Sequence, residues 1–137
     1  MNTTPIVELP RFELSEGFDC SLLGWECKNL WPVVAGQFEP RLHEFIYEVE
    51  PIISGEGMLM RARAMGINTG LRHAEAIIRG GLKVSKEFGN SILLFPEVWL
   101  GVAGPCVWCL YPISGYWQLN YDELRHGFNS DYRLVSA

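Results

Sequence analysis

The sequence predicts an α/β or α+β domain, with helices packed against a sheet. Three observations carry this reading. Residues 91–100, SILLFPEVWL, form a compact apolar run of the kind found in a buried strand, with Pro96 near its end. The stretch 116–121, YWQLNY, alternates apolar and polar residues as half-buried strands do, and 132–137, YRLVSA, reads as a last strand. Between them and the N-terminus, Leu71, Ala74, Ile77 and Ile78 recur at helical spacing.

Taken in order, residues 1–38 read as an irregular N-terminal segment, cut into short pieces by Pro5, Pro10, Gly17, Gly24, Pro32 and Gly36. Cys20 and Cys27 lie there. Their separation fits no common ligand spacing, so both read as small packed residues. Residues 39–137 then form the core of a single domain, with no internal repeat and no long linker. The stretch 39–50, EPRLHEFIYEVE, supports two readings. Leu42, Phe45, Ile46 and Val49 fall at helical spacing behind Pro40, while Phe45, Tyr47 and Val49 also alternate. If it is a strand, MLMRARA (58–64) is its hairpin partner. A short helix follows, with Asn68 or Thr69 as its cap and Gly80-Gly81 as its stop. LGVAG (100–104) reads as a loop, and Pro105 as the first residue of a helical turn that Pro112 and Gly115 cut short. DELRHGFNSD (122–131) is a connection with room for one helical turn.

Composition narrows the function classes. The chain has 137 residues, 48% hydrophobic and 20% charged, which suffices for a buried core. A net charge of −5 argues against a surface built wholly for nucleic acid. The charge is uneven: Arg61, Arg63, Arg72, Arg79, Lys83 and Lys86 lie between residues 57 and 86 against the single acid Glu75. That strip is either a solvated face or a seat for a phosphate backbone. No apolar run reaches the length of a membrane span, and the first residues lack the form of a secretory signal, so a cytoplasmic protein without a membrane partner is expected.

Two short motifs carry chemistry. His73-Ala74-Glu75 sits in the first turns of the helix, and Pro105-Cys106-Val107-Trp108-Cys109 follows about thirty residues later. On a helical turn, Cys106 and Cys109 would project from one side, and a helix start would favour their thiolates. With a neutral His73 imidazole they would give Zn2+ three ligands and leave a fourth position for water. Zinc makes that water acidic, and Glu75, close to the metal but not bound to it, would move its proton. Outside such a site, the cysteines read as core thiols or a redox pair, and His73 and Glu75 as helix-surface residues.

The order H-x-E … P-C-x-x-C resembles the signature of the cytidine deaminase-like superfamily of zinc-dependent deaminases. The resemblance covers chiefly residues 45–136. It implies a three-layer sandwich, with a central mixed sheet of about five strands and helices on both faces, and it turns 45–64 into a first hairpin. It carries His73, Cys106 and Cys109 over as ligands and Glu75 as the catalytic proton shuttle. It further implies hydrolytic removal of an amine, preferably from cytosine, in a nucleoside, a nucleotide or single-stranded nucleic acid. Asn68, Arg72 and Trp108 are its candidate substrate contacts. The family includes bacterial deaminase toxins, which would imply an immunity protein as partner, and its small members often form homo-oligomers. This chain departs from the common pattern with Gly104 before Pro105, where many members have glutamate.

A competing reading of a different class also suits the acidity and the tryptophans. It is a small acidic protein-binding protein, immunity- or inhibitor-like, with a structural zinc or no metal. Trp99, Trp108, Tyr111, Tyr116 and Trp117 would then be core or docking residues, where the deaminase reading lets some of them stack on a base.

Overall fold

The computed structural model describes residues 10–15, 31–47 and 49–137. Cys20 and Cys27 lie outside the described residues. Two short strands, β1 (Phe12–Leu14) and β2 (Gly36–Phe38), pair antiparallel in a small sheet of their own. They fall within the segment expected to be irregular. Phe12 and Phe38 face each other in register, their ring centroids 6.0 Å apart, and this contact explains why so short a pair forms.

The main sheet has five strands: β3 (Arg41–His43), β4 (Ile92–Gly101), β5 (Gly104–Ile113), β6 (Tyr116–Glu123) and β7 (Tyr132–Ser136). Their order across the sheet is β3-β7-β4-β5-β6. The run β4-β5-β6 is an antiparallel meander, β7 lies parallel to β4, and β3 pairs antiparallel with β7. The connection from β6 to β7 therefore crosses the sheet, and it carries the expected helical turn at Leu124–His126. Ser114 and Gly115, with φ of 52° and 82°, make the two-residue turn between β5 and β6 that suits the twist of a hairpin.

Two helices cover opposite faces. Helix α1 (Gly55–Ala64) packs Met58 and Ala62 on Phe45, Leu94, Val107, Cys109, Phe128 and Leu134. Helix α2 (Leu71–Arg79) packs Leu71, Ala74 and Ile77 on Leu93, Phe95, Trp108, Leu110, Trp117 and Val135. Neighbouring strand residues such as Leu93 and Leu94, or Leu134 and Val135, thus divide between the two cores, as a strand buried on both sides requires. The architecture is α/β, a mixed sheet of five strands between helices. No helix among the described residues is long and apolar enough to cross a membrane.

Two expected elements are overturned. Residues 45–64 form no hairpin. Phe45 is buried, but Tyr47 and Val49 are exposed, and Gly55–Ala64 is helix. Met, Leu, Arg and Ala are good helix formers, and the Ser54 hydroxyl caps the helix by accepting the Gly57 N–H at 3.0 Å. The second correction bears on the chemistry. Pro105 opens no helical turn, because Gly104–Ile113 is a strand. LGVAG is a tight turn, with Gly101 opposite Gly104 and only Val102 and Ala103 between them. Gly104 takes φ 131° there. Pro105 lies beyond the last pair with β6, Cys106 opposite Glu123, so that side of the strand asks no hydrogen bond of it.

Candidate functional site

The start of α2 holds the first motif. Gly70 is the N-cap, in place of the expected Asn68 or Thr69. The Thr69 hydroxyl instead donates to the Val135 carbonyl at 2.5 Å. His73 reaches back so that its Nδ1 accepts the Gly70 N–H at 3.1 Å, the reciprocal half of a capping box. An accepting Nδ1 leaves the ring proton on Nε2. The ring is buried, edge-on to Phe38 at 5.3 Å, and burial pushes its pKa down to about 4. Glu75 is buried too, and its carboxylate is held by the Arg79 guanidinium one turn on.

The same helix start uses a carboxylate that the sequence reading overlooked. Glu97 is 3% exposed, at a bulge where the β4–β5 register shifts between Phe95 and Val98. Its Oε1 accepts the Leu71 N–H at 3.0 Å, and its Oε2 accepts the Trp31 N–H. A negative group at a helix N-terminus satisfies orphan N–H donors and the macrodipole together. The fit is close enough that a Cβ on Gly70 would come within 2.5 Å of Glu97 Oε1. The available signal was an acid next to proline inside an otherwise apolar strand.

The cysteines lie on β5, and a separation of three along a strand sends them to opposite faces. Cys106 stands opposite Trp99 on one side and Glu123 on the other, and its Sγ donates to the Gly104 carbonyl at 3.3 Å. Cys109 belongs to the core beneath α1, and its Sγ donates to Asp122 Oδ2 at 3.3 Å. Burial raises both thiols, and for Cys109 the Asp122 charge raises it further. His73 is on α2, across the sheet from Cys109. The three expected zinc ligands therefore do not converge, and the thiols are held protonated. Among the described residues, no group of three or more histidine, cysteine, aspartate or glutamate side chains is arranged to hold a metal ion. The donor set does not fit zinc.

The tentative substrate contacts are likewise separate. Asn68 is exposed at the rim of a cavity of about 230 Å3, lined also by Trp31, Leu59, Arg63, Pro96 and Val98. Arg72 is half-buried on α2. Trp108 is buried, and its face is stacked on Trp99 with centroids 4.6 Å apart, so that face is not offered to a base. The arginine strip is partly neutralised within the fold. Arg61 makes a two-pronged pair with Glu50 at 2.8 and 2.9 Å and lies over the Tyr47 ring, and Arg79 serves Glu75.

Asp122 gathers a second polar cluster. Besides Cys109, it accepts hydrogen bonds from the Tyr111 hydroxyl and, at 2.7 Å, from the Tyr132 hydroxyl. The two hydroxyls are 3.0 Å apart, and burial with the adjacent carboxylate raises both phenols. Three donors on one oxygen tie β5, β6 and β7 together where the crossover leaves the sheet. Poor acidity makes these phenols donors rather than proton carriers.

Searches against protein-family models, curated proteins and solved structures return no match to this chain.

Proposed function

We propose that this chain is a protein-binding module that works without a zinc centre at His73, Cys106 and Cys109. One observation carries the reading: the β4–β5 hairpin presents uncharged, apolar residues to solvent. Leu100 is 80% exposed, Val102 at the turn is wholly exposed, and Val98 is 39% exposed on the Leu100 side of the strand. Exposed apolar residues grouped in this way are a mark of association sites. The capping role of His73, the Glu75–Arg79 pair and the opposed cysteines give the H-x-E and P-C-x-x-C residues structural work that needs no metal.

The deaminase reading makes a demand that separates the two. It needs His73, Cys106 and Cys109 on one ion with Glu75 beside it, and so a β5 that leaves the sheet. The test is elemental analysis of the purified full-length chain, together with ammonia release from cytidine, deoxycytidine, their phosphates, adenosine and single-stranded DNA and RNA. Substoichiometric zinc and no ammonia are expected. One zinc per chain, with ammonia release that Glu75→Ala abolishes, would overturn the proposal and restore the hydrolase.

A further inference from the structure

We infer that the β4–β5 hairpin is a self-association surface, on which a second copy of this chain docks about a two-fold axis near Leu100. The inference rests on the protein-binding reading and names the partner at that surface.

The first argument is shape. Two apolar residues project, Leu100 on the strand and Val102 at the turn. A few residues back along the same strand is the cavity of about 230 Å3 lined by Leu59, Ala62, Ile67, Pro96 and Val98. Leu100 and Val98 lie on the same side of β4, because they stand opposite Pro105 and Val107, two residues apart on β5. Each copy thus carries a knob and a hole on one surface. An isologous contact needs a patch that complements itself in this way. With the axis near Leu100, the hairpins run antiparallel, Leu100 meets its counterpart, and each Val102 tip reaches toward the Val98 end of the other copy. A strand rises about 3.4 Å per residue, so Val98 and Val102 stand roughly 14 Å apart, the offset this exchange requires.

The second argument is charge. A chain of net charge −5 repels its own copies, so a contact between them gains from a surface that adds no unpaired acids of its own. No charged residue occurs from Val98 to Tyr121, which covers the whole hairpin and most of β6. Arg63, the charged residue lining the cavity, is a cation. Glu97, next to Val98 in sequence, is buried with its oxygens engaged by backbone N–H groups. Two acids stand on the neighbouring strand, Asp122 opposite Val107 and Glu123 opposite Cys106. Asp122 is engaged by Cys109, Tyr111 and Tyr132, and Glu123 is paired with Arg125. The hairpin itself can therefore meet a second copy without setting free acids against each other.

The test is sedimentation velocity of the full chain from micromolar to hundreds of micromolar, on the wild type, Leu100→Lys, Leu100→Glu and an equimolar mixture of the two variants. The wild type is expected to dimerise. Each variant alone should dimerise at least about tenfold more weakly, since like charges then face each other across the axis. The mixture should recover a heterodimer, because lysine then meets glutamate. Circular dichroism identical to wild type shows that the variants fold. A wild type that stays monomeric throughout, a dimer indifferent to both variants, or variants that fail to pair when mixed would each overturn the inference. Those outcomes leave the metal and ammonia measurements untouched, so failure of the dimer and failure of the protein-binding reading are told apart.

Discussion

His73 shows how one side chain can carry the mark of a metal ligand and do another job. Its Nδ1 accepts a backbone N–H at the helix start, and its ring lies against Phe38 in the core. The first contact requires an unprotonated Nδ1, and burial of the ring disfavours its charged form. With a pKa pushed down to about 4 in the fold and an ordinary value of 6.5 in the open chain, the unfolded state binds more protons between those limits. Stability from this group is complete above pH 6.5 and is lost as pH falls toward 4. The loss is on the order of 3 kcal/mol at the acid end. Urea unfolding at intervals across that window should show the decline, and His73→Gln, which keeps a side-chain acceptor but cannot titrate, should remove that component of it. A variant with the same acid slope as wild type would mean that the imidazole is not the group responsible. Glu97 is the complementary case. Its part at the α2 start was hidden because the bond joins residues 26 apart, and no local pattern encodes such a partner.

At the scale of elements, legibility followed periodicity. Helix α2 was readable because Leu71, Ala74 and Ile77 repeat at helical spacing and glycines follow, and β4 and β6 were readable from an apolar run and from alternation. Helix α1 was missed because it offers only Met58 and Ala62 as a fully buried apolar stripe, FIYEVE imitates a strand, and the family resemblance then decided 45–64 as a hairpin. The error at β5 had a different origin. Pro105 suits both a helix start and a strand end, and its preference for a first helical position outweighed Val107-Trp108-Cys109-Leu110, which should have turned the choice toward a strand. A sheet with helices packed on it was thus legible; the number of strands came with the resemblance, which misplaced some of them, and the convergence of a candidate site was not legible, since it depends on which face each residue takes. The strand assignment has a chemical consequence. Three strand residues put Cys106 and Cys109 Cα atoms roughly 10 Å apart, beyond what a disulfide spans. Mild oxidation of the folded chain followed by peptide mass mapping should give no Cys106–Cys109 crosslink. Its appearance in folded protein would contradict the strand.

At the scale of the whole molecule, the sheet is closed by its last strand. β7 sits between β3 and β4, so the segment 132–136 joins residues 41–43 to the meander that begins at residue 92. The β6–β7 crossover delivers it, and Asp122, Tyr111, Tyr132 and Phe128 fix the path of that crossover over the face that α1 also covers. Leu134 and Val135 are both fully buried, one in each core, so β7 is where the two hydrophobic layers share a backbone. Leu134→Ala removes packing beneath α1 at a position enclosed by strands on both sides, where little collapse is available. A loss of about 2–4 kcal/mol is expected. Because β7 couples both layers, the loss should appear in the slow amide exchange of β4 and β5 as well as in β7 itself, all shifted by the same free energy. The two short strands β1 and β2 pair only with each other and should exchange faster at all times. Were Leu134→Ala to speed exchange in β7 alone, with β4 and β5 protected as before, the last strand would be an appendage to the sheet and not the element that joins its two sides.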